Sequence, residues 1–226
     1  MVDLAHFSDD ESERELAVRR TALLTPVLKA WATETAQEVT SLGVQIHGGM
    51  GFVEETGAAQ HMRDARILTI YEGTTGIQAM DFAGRKVMAD EGRAIGELIA
   101  EIRDLGGELA AHADFASMRA ALNDAVDLLE SAATWLLTNG PDDPYAPGAA
   151  SVNFLMLTGV VVGGWQMARA SLAVANGSCS NDQAFAESKL ATAGFYATHV
   201  LPRAHGLHAA ATAGSDVLMT LPEDSF

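Results

Sequence analysis

Three observations predict an all-α fold for this 226-residue chain. Alanine and glycine are abundant while proline is scarce, with 6 prolines in the whole sequence. Apolar residues recur at intervals of three and four over several long stretches, the period that lines side chains up on one helix face. Asp, Thr, Asn and Gly stand where those stretches begin and end, at the places where helix caps are needed. With 48% hydrophobic residues the chain is globular, and its length suffices for one or two domains with a real core.

Residues 1–20 mix Leu4, Leu16 and Val18 with many charges and read as the end of one helix, a turn and the start of another. Thr25-Pro26 reads as an N-cap followed by proline at the first helical position. Leu28, Trp31, Thr35, Val39 and Leu42 then form one apolar face of a helix that ends near Gly43. Glu54, Glu55 and 57–59 form a turn into a short helix, and Arg63, Asp64 and Arg66 read as structural ion pairing. Thr75 and Gln78 fit a capping box, and the helix after them carries Ile77, Met80, Phe82, Ala83 and Val87. A further helix over 91–104 breaks near Gly106-Gly107, which places the domain boundary there and divides the chain into 1–105 and 106–226.

Asp114 can cap a helix carrying Met118, Leu122, Val126, Leu129, Ala133 and Leu136, which stops at Asn139-Gly140-Pro141. Residues 148–175 are apolar over the length of a membrane span. Asn153, Thr158, Gln166 and Arg169 interrupt that run, and Gly159, Gly163 and Gly164 share a face suited to close packing, so a buried bundle helix is expected and no membrane span. Asp182 can cap the next helix, with Phe185, Leu190, Ala193, Tyr196 and Val200 on its apolar face and Pro202 at a bend. His199, His205 and His208 lack a carboxylate or cysteine to complete a ligand set, so no metal is expected. The tail from Leu221 to Phe226 is expected to fray.

The formal net charge of −16 argues against nucleic-acid partners and anionic membrane surfaces. Cys179 is the single cysteine, so the chain can form no internal disulfide, which fits a cytoplasmic protein. The acidic start is not a secretory signal.

The chemistry concentrates in residues 44–78. Glu72 follows Ile67, Leu68, Ile70 and Tyr71 and precedes Gly73. A carboxylate in such company is partly desolvated, which raises its pKa toward the range of a general base. A loop residue reaching water is the plainer alternative. Gly48, Gly49 and Gly51 let the backbone take positive φ and let a ligand approach closely, although by themselves they also fit an ordinary tight loop. They are not a dinucleotide fingerprint of the strand–turn–helix kind, since a helix precedes them. The N-terminus of the helix after Glu72 offers free N–H groups beside that carboxylate.

The segments QIHGGMGF (45–52), RDARI (63–67) and YEGTTGIQ (71–78), in this order and spacing, resemble the C-terminal part of the acyl-CoA dehydrogenases. The form IHGGMGFVEETGAAQH resembles the branch of that family with an extra helical C-terminal domain. The resemblance implies a helical bundle of the dehydrogenase C-terminal type over 1–105, incomplete here, followed by an appended three- or four-helix bundle. It implies FAD as cofactor, an acyl-CoA substrate, and electron-transfer flavoprotein as the acceptor that reoxidises the flavin. It assigns Glu72 as catalytic base and Tyr71 and Gly73 to the substrate. Thr74, Thr75 and Gly76 are placed against FAD, and Gln45, Ile46, His47, Gly48 and Gly49 against the FAD of a neighbouring subunit. A homodimer or homotetramer sharing FAD across subunits follows. His47 stands where an aromatic is commoner, and Gly76 replaces a longer polar residue.

The family's N-terminal helical domain and middle β-barrel domain are not in the sequence, so a fragment or separately made piece, inactive alone, is expected. A non-catalytic helical partner subunit, an acyl-CoA oxidase and a flavin-keeping relative that binds nucleic acid are the alternatives, the last opposed by the charge.

Overall fold

The computed structural model describes residues 1–71, 73–179, 181–218, 220 and 222–225. The described residues form ten α-helices and no strand, as the all-α reading expects. Helix α1 (Val2–Phe7) is followed by a turn and by α2 (Glu11–Ile46), 36 residues long. The cap of α2 is Asp10, whose carboxylate accepts from the backbone N–H of Ser12 at 2.8 Å and of Glu13 at 3.4 Å.

The predicted start at Thr25-Pro26 is therefore wrong. Pro26 lies inside α2 and is buried, and the Thr25 hydroxyl donates to the Thr21 carbonyl at 2.7 Å instead of capping. Proline removes one helical hydrogen bond, but Leu23, Val27 and Ala30 around it are at most 2% exposed, and that burial carries the helix through. The core side of α2 is thus the Leu23–Val27–Ala30 stripe. On the expected face only Trp31 packs on the core, while Leu28, Val39 and Leu42 are more than half exposed. The helix also ends at Ile46 rather than near Gly43.

Three short helices follow: α3 (Gly49–Phe52), α4 (Ala58–Arg66) and α5 (Thr75–Met80). From α5 the chain continues as a π-helical segment, Asp81–Met88, that buries Phe82, Ala83 and Val87. After Gly92, at φ +79°, comes α6 (Arg93–Leu109). This helix runs through Gly106-Gly107 without a break. A Cβ at Gly106 would lie 3.0 Å from the Asn123 Oδ1, so the glycine serves close approach of the next helix and not a stop.

That helix, α7 (Ala116–Asn139), ends where predicted. Its start is not capped by the Asp114 side chain, which sits in a 3₁₀ turn, Ala113–Phe115. Next come α8 (Ala146–Ala175), α9 (Gln183–Phe195), a π-helical segment Tyr196–Val200, and α10 (Arg203–Ala211) after Pro202. Asp182 caps α9 as expected, accepting from the Phe185 N–H at 3.0 Å. Of the tail, 223–225 form a 3₁₀ turn, and Leu221 and Phe226 lie outside the described residues.

Helix α8 is the centre of the bundle, packed against α2, α5, α6, α7, α9 and α10. It is long and apolar enough to cross a membrane, yet Phe154, Leu155, Leu157 and Val161 are at most 1% exposed inside the protein. The sequence placed three glycines on one face of this helix, and each seats a side chain. A Cβ would come within 2.2 Å of Trp31 at Gly159, 2.2 Å of the Tyr196 hydroxyl at Gly163, and 2.6 Å of Leu201 at Gly164. The Tyr196 hydroxyl donates to the Val160 carbonyl at 2.9 Å, and burial pushes its phenol pKa up.

Ion pairs tie distant helices together at the surface. Arg203 of α10 grips Glu38 of α2 with two bonds of 2.8 and 3.0 Å, and Arg19 grips Glu97 of α6 at 3.1 and 3.2 Å. Hydrogen bonds from these arginines hold the carboxyls of Glu38 and Glu97 below their ordinary value of 4.5. Their stabilisation is complete above about pH 5 and is lost as pH falls below about 4, because the unfolded chain then binds more protons. Urea-unfolding midpoints are expected to drop between pH 6 and pH 3.5, and less steeply in Glu38→Gln. An equal drop in that variant would remove Glu38 from the account.

The three histidines assemble no metal site: among the described residues no group of metal-ligating side chains comes together. His205 pairs with Asp124 at 2.8 Å, His208 meets the Ser131 hydroxyl at 3.0 Å, and His199 stacks on Phe195 with ring centroids 4.8 Å apart.

Candidate functional site

The residues assigned to the site occupy two places. The first is the C-terminal end of α2. Gln45 and Ile46 close the helix, and His47 caps it, its backbone N–H and its Nδ1 both directed at the Gly43 carbonyl, at 3.2 and 2.8 Å. Gly48, at φ +60°, turns the chain into α3, and Gly49 opens that helix. All five residues are exposed. Gly51 has a different role, since a Cβ there would lie 2.2 Å from the Val44 carbonyl oxygen. A shallow groove of about 490 Å3 runs beside the loop between Val39, Gly43, His47, Thr56 and His61. Arg63 pairs with Glu54 through two bonds of 2.6 and 2.9 Å, and Arg66 donates to the Thr69 hydroxyl at 2.7 Å. The structural reading of that cluster holds, with Glu54 rather than Asp64 as the hydrogen-bonded acid.

The second place is the turn into α5. Glu72 itself lies outside the described residues. Of its apolar neighbours Leu68 is half-buried, while Ile67, Ile70 and Tyr71 are 53%, 51% and 49% exposed. The 3₁₀ turn Ile67–Thr69 explains this, because it turns Thr69 inward and leaves Ile67 and Ile70 outward. Thr74, not Thr75, is the N-cap of α5, and its side chain makes no capping bond, so the predicted box with Thr75 as cap is not formed. Thr75 is instead tied to α2: its hydroxyl donates to the Glu34 carboxylate at 2.5 Å. Gly76 is exposed, with a cleft of about 400 Å3 beside it bounded by Ile77, Met80, Asp81 and Arg85.

Gly73 sits at φ +97°, and a Cβ there would meet the Gln78 amide at 2.5 Å. A side chain at that φ is strained, so Gly73→Ala is expected to cost about 1–3 kcal/mol. Thermal unfolding checks it, and an unchanged midpoint would mean that the turn relaxes freely.

The two places are not brought together within one chain. Thr75 is anchored at Glu34, and Gln45 lies eleven residues further along α2, about 17 Å away at 1.5 Å per residue. Both offer bare backbone and neutral groups: a glycine loop with open space at Gly48, the Gln45 amide, and a helix start whose cap side chain is unused. Donors of this kind are compatible in chemistry with the sugar and pyrophosphate oxygens of a dinucleotide. Sequence reasoning missed Glu34, for which no local pattern gave a signal. It also missed the cleft of about 230 Å3 where Trp31, Glu34, Glu38, Met156 and Arg203 meet.

Two family models match the chain. One, described as "Acyl-CoA dehydrogenase, C-terminal domain", covers residues 6–87, and the other, "Acetyl-CoA dehydrogenase C-terminal like", covers residues 95–222. Over 97% of its length the chain is 44% identical to the 3-methylmercaptopropionyl-CoA dehydrogenase of Ruegeria pomeroyi, spanning 37% of that protein. It is 35% identical over 84% of its length to the broad-specificity linear acyl-CoA dehydrogenase FadE5 of Mycobacterium tuberculosis, spanning 33% of it. To a butyryl-CoA dehydrogenase of Syntrophomonas wolfei it is 30% identical over 99% of its length, spanning 37%. The chain thus spans 33–37% of the length of these relatives.

Proposed function

The chain belongs to the acyl-CoA dehydrogenase family, and on that premise we propose that it forms the C-terminal part of an FAD-dependent enzyme that oxidises an acyl-CoA to its trans-2-enoyl-CoA. The observation that carries this reading is the match to the two C-terminal models across nearly the whole chain, with the 71–78 turn inside the first of them. The continuous helix α6 runs across position 105, and the turn at 89–92 ahead of it is an alternative place for the join between the two parts.

In this reading Glu72, as carboxylate, removes the proton from the carbon next to the thioester carbonyl. The thioester oxygen gains charge as that proton leaves, and a hydrogen bond from the backbone N–H of Glu72 stabilises it. One such oriented donor contributes about 3 kcal/mol to lowering the barrier. FAD, when bound, supplies the two-electron acceptor for the β-carbon. Thr74, Thr75 and Gly76 hold it beside the base, while Tyr71 and Gly73 contact the substrate. Gln45, Ile46, His47, Gly48 and Gly49 contact the FAD of a second subunit in a homodimer or homotetramer, which suits their distance from Thr75. Electron-transfer flavoprotein reoxidises the enzyme, in the cytoplasm. The isolated 226-residue chain is expected to have little activity and to bind FAD weakly or not at all, and acyl-CoA turnover by this chain with an electron acceptor would overturn that expectation.

A non-catalytic helical subunit that pairs with a larger partner is the second reading. It is favoured by apolar side chains left outside the core, Ile46 and Phe52 each at 83% exposure. The deciding experiment is anaerobic flavin bleaching of the complete protein with a panel of acyl-CoAs. Bleaching by at least one of them is expected. A flavin-free protein, or one that no acyl-CoA bleaches, would sink the dehydrogenase reading and leave the partner subunit.

A further inference from the structure

We infer that Glu34 is a positioning residue for the turn that carries the base and the flavin contacts, and that Arg203 of the appended bundle supports it; the inference rests on the dehydrogenase reading. Helix α5 packs against α2 and α8, yet it sends few side chains into the core. In α5 only Ala79 is buried, Thr74 is exposed, and Ile77 and Met80 are 64% and 48% exposed. The hydrogen bond from the Thr75 hydroxyl to the Glu34 carboxylate ties the leading edge of α5 to the bundle across 41 residues of sequence. Thr75 is the first residue of α5 and lies three positions after Glu72, so a shift of Thr75 moves the base and the flavin contacts together.

Glu34 is a sound anchor because α2 is rigid at that point. Ala30 is 1% exposed, and Trp31 is pressed into the Gly159 notch of α8. One turn further on, Glu38 takes two hydrogen bonds from Arg203. Glu34, Glu38 and Arg203 line one cleft together with Trp31, at the seam between α2, α8 and α10. Like charges four residues apart on a helix repel. By occupying Glu38, Arg203 offsets that repulsion and leaves the Glu34 carboxylate directed at Thr75. The appended bundle thereby reaches the active-site turn through two carboxylates, without touching substrate or flavin.

The test uses the complete, flavin-loaded protein and the variants Glu34→Ala, Glu34→Gln, Thr75→Val, Thr75→Ser and Arg203→Met. FAD dissociation constant, visible flavin spectrum, kcat and KM are read for each. Glu34→Ala and Thr75→Val are each expected to lower kcat by about 10–100-fold with KM for the acyl-CoA little changed, the loss that a misplacement of about 1 Å produces. Both are expected to weaken FAD binding and alter the flavin band shape. Glu34→Gln and Thr75→Ser, which keep an acceptor oxygen and a hydroxyl, recover most of the loss. Combining Glu34→Ala with Thr75→Val is no worse than either alone, because one bond is removed once. Arg203→Met gives a smaller loss of the same kind. A flavin-loaded wild type that acyl-CoA bleaches, with a Glu34→Ala variant equal to it in kcat, flavin affinity and spectrum, overturns this inference alone. A wild type without flavin or bleaching overturns the dehydrogenase reading and this inference with it.

Discussion

Replacing Glu72 by glutamine in the complete, flavin-loaded enzyme is expected to lower turnover by about 10²–10⁴-fold, the usual worth of a positioned general base. Glutamine keeps the volume of the side chain but cannot take a proton at neutral pH. The α-proton of a thioester is weakly acidic, so the reaction has no cheap substitute for the missing carboxylate. FAD should stay bound, because the flavin contacts are assigned to Thr74, Thr75, Gly76 and the α2 loop. The pH profile gives a second readout. Wild-type kcat falls on the acid side as the base is protonated, and the variant should lack that limb. The measurement is the rate of flavin bleaching after rapid mixing with an acyl-CoA. A variant within tenfold of wild type would move the base elsewhere and leave Glu72 as part of the turn.

The second large effect is structural. Gly159→Ala places a methyl group 2.2 Å from the Trp31 Cγ and 2.4 Å from its Cδ1, inside the central seam of the bundle. Neither partner can step aside cheaply. Gly159 is on α8, which is packed by several helices, and Trp31 is on α2 among residues of the same core. Overpacking of this kind costs about 1–3 kcal/mol. For a chain of this size that is a fall in unfolding midpoint of roughly 2–12 °C. Trp31→Leu alone should also destabilise, by leaving a cavity. Combined with Gly159→Ala it should restore part of the loss, because the methyl group then occupies space the indole vacated. Strict additivity of the two changes would show that they do not share that space. Gly163→Ala, aimed at the Tyr196 hydroxyl 2.2 Å away, should behave like Gly159→Ala.

Much of this molecule was legible without coordinates, and the places where reading failed have a common cause. Asp182 as a cap and the end of α7 at Asn139 were read correctly, because a cap is a contact within three or four residues of its own helix. The glycine face of α8 was read as a packing surface, and it is one, though side chains from α2 and from the 196–201 segment fill it rather than a single helix. The Thr25-Pro26 start failed because the local signal was outvoted by core residues on both sides of it. Gly106-Gly107 failed as a break because glycine is also what lets α6 lie close to Asn123. Among the candidate residues, the loop at Gly48 was read from residue pattern and is present, whereas the exposure of Ile67 and Ile70 was not foreseen.

From the sequence alone come the all-α class, the order of the long helices, most of their ends, and the two short stretches that hold the candidate chemistry. These follow from periodicity and capping, which are local properties of the chain. Only the tertiary structure decided which face of α2 is inside, where the indole of Trp31 goes, and what the turn at Thr75 is tied to. A periodic pattern states that a helix has an apolar face but not what covers it. The bonds from Thr75 to Glu34 and from Arg203 to Glu38 join residues 41 and 165 positions apart. Contacts at that separation depend on how the helices pack, and they leave no mark on the residues in between.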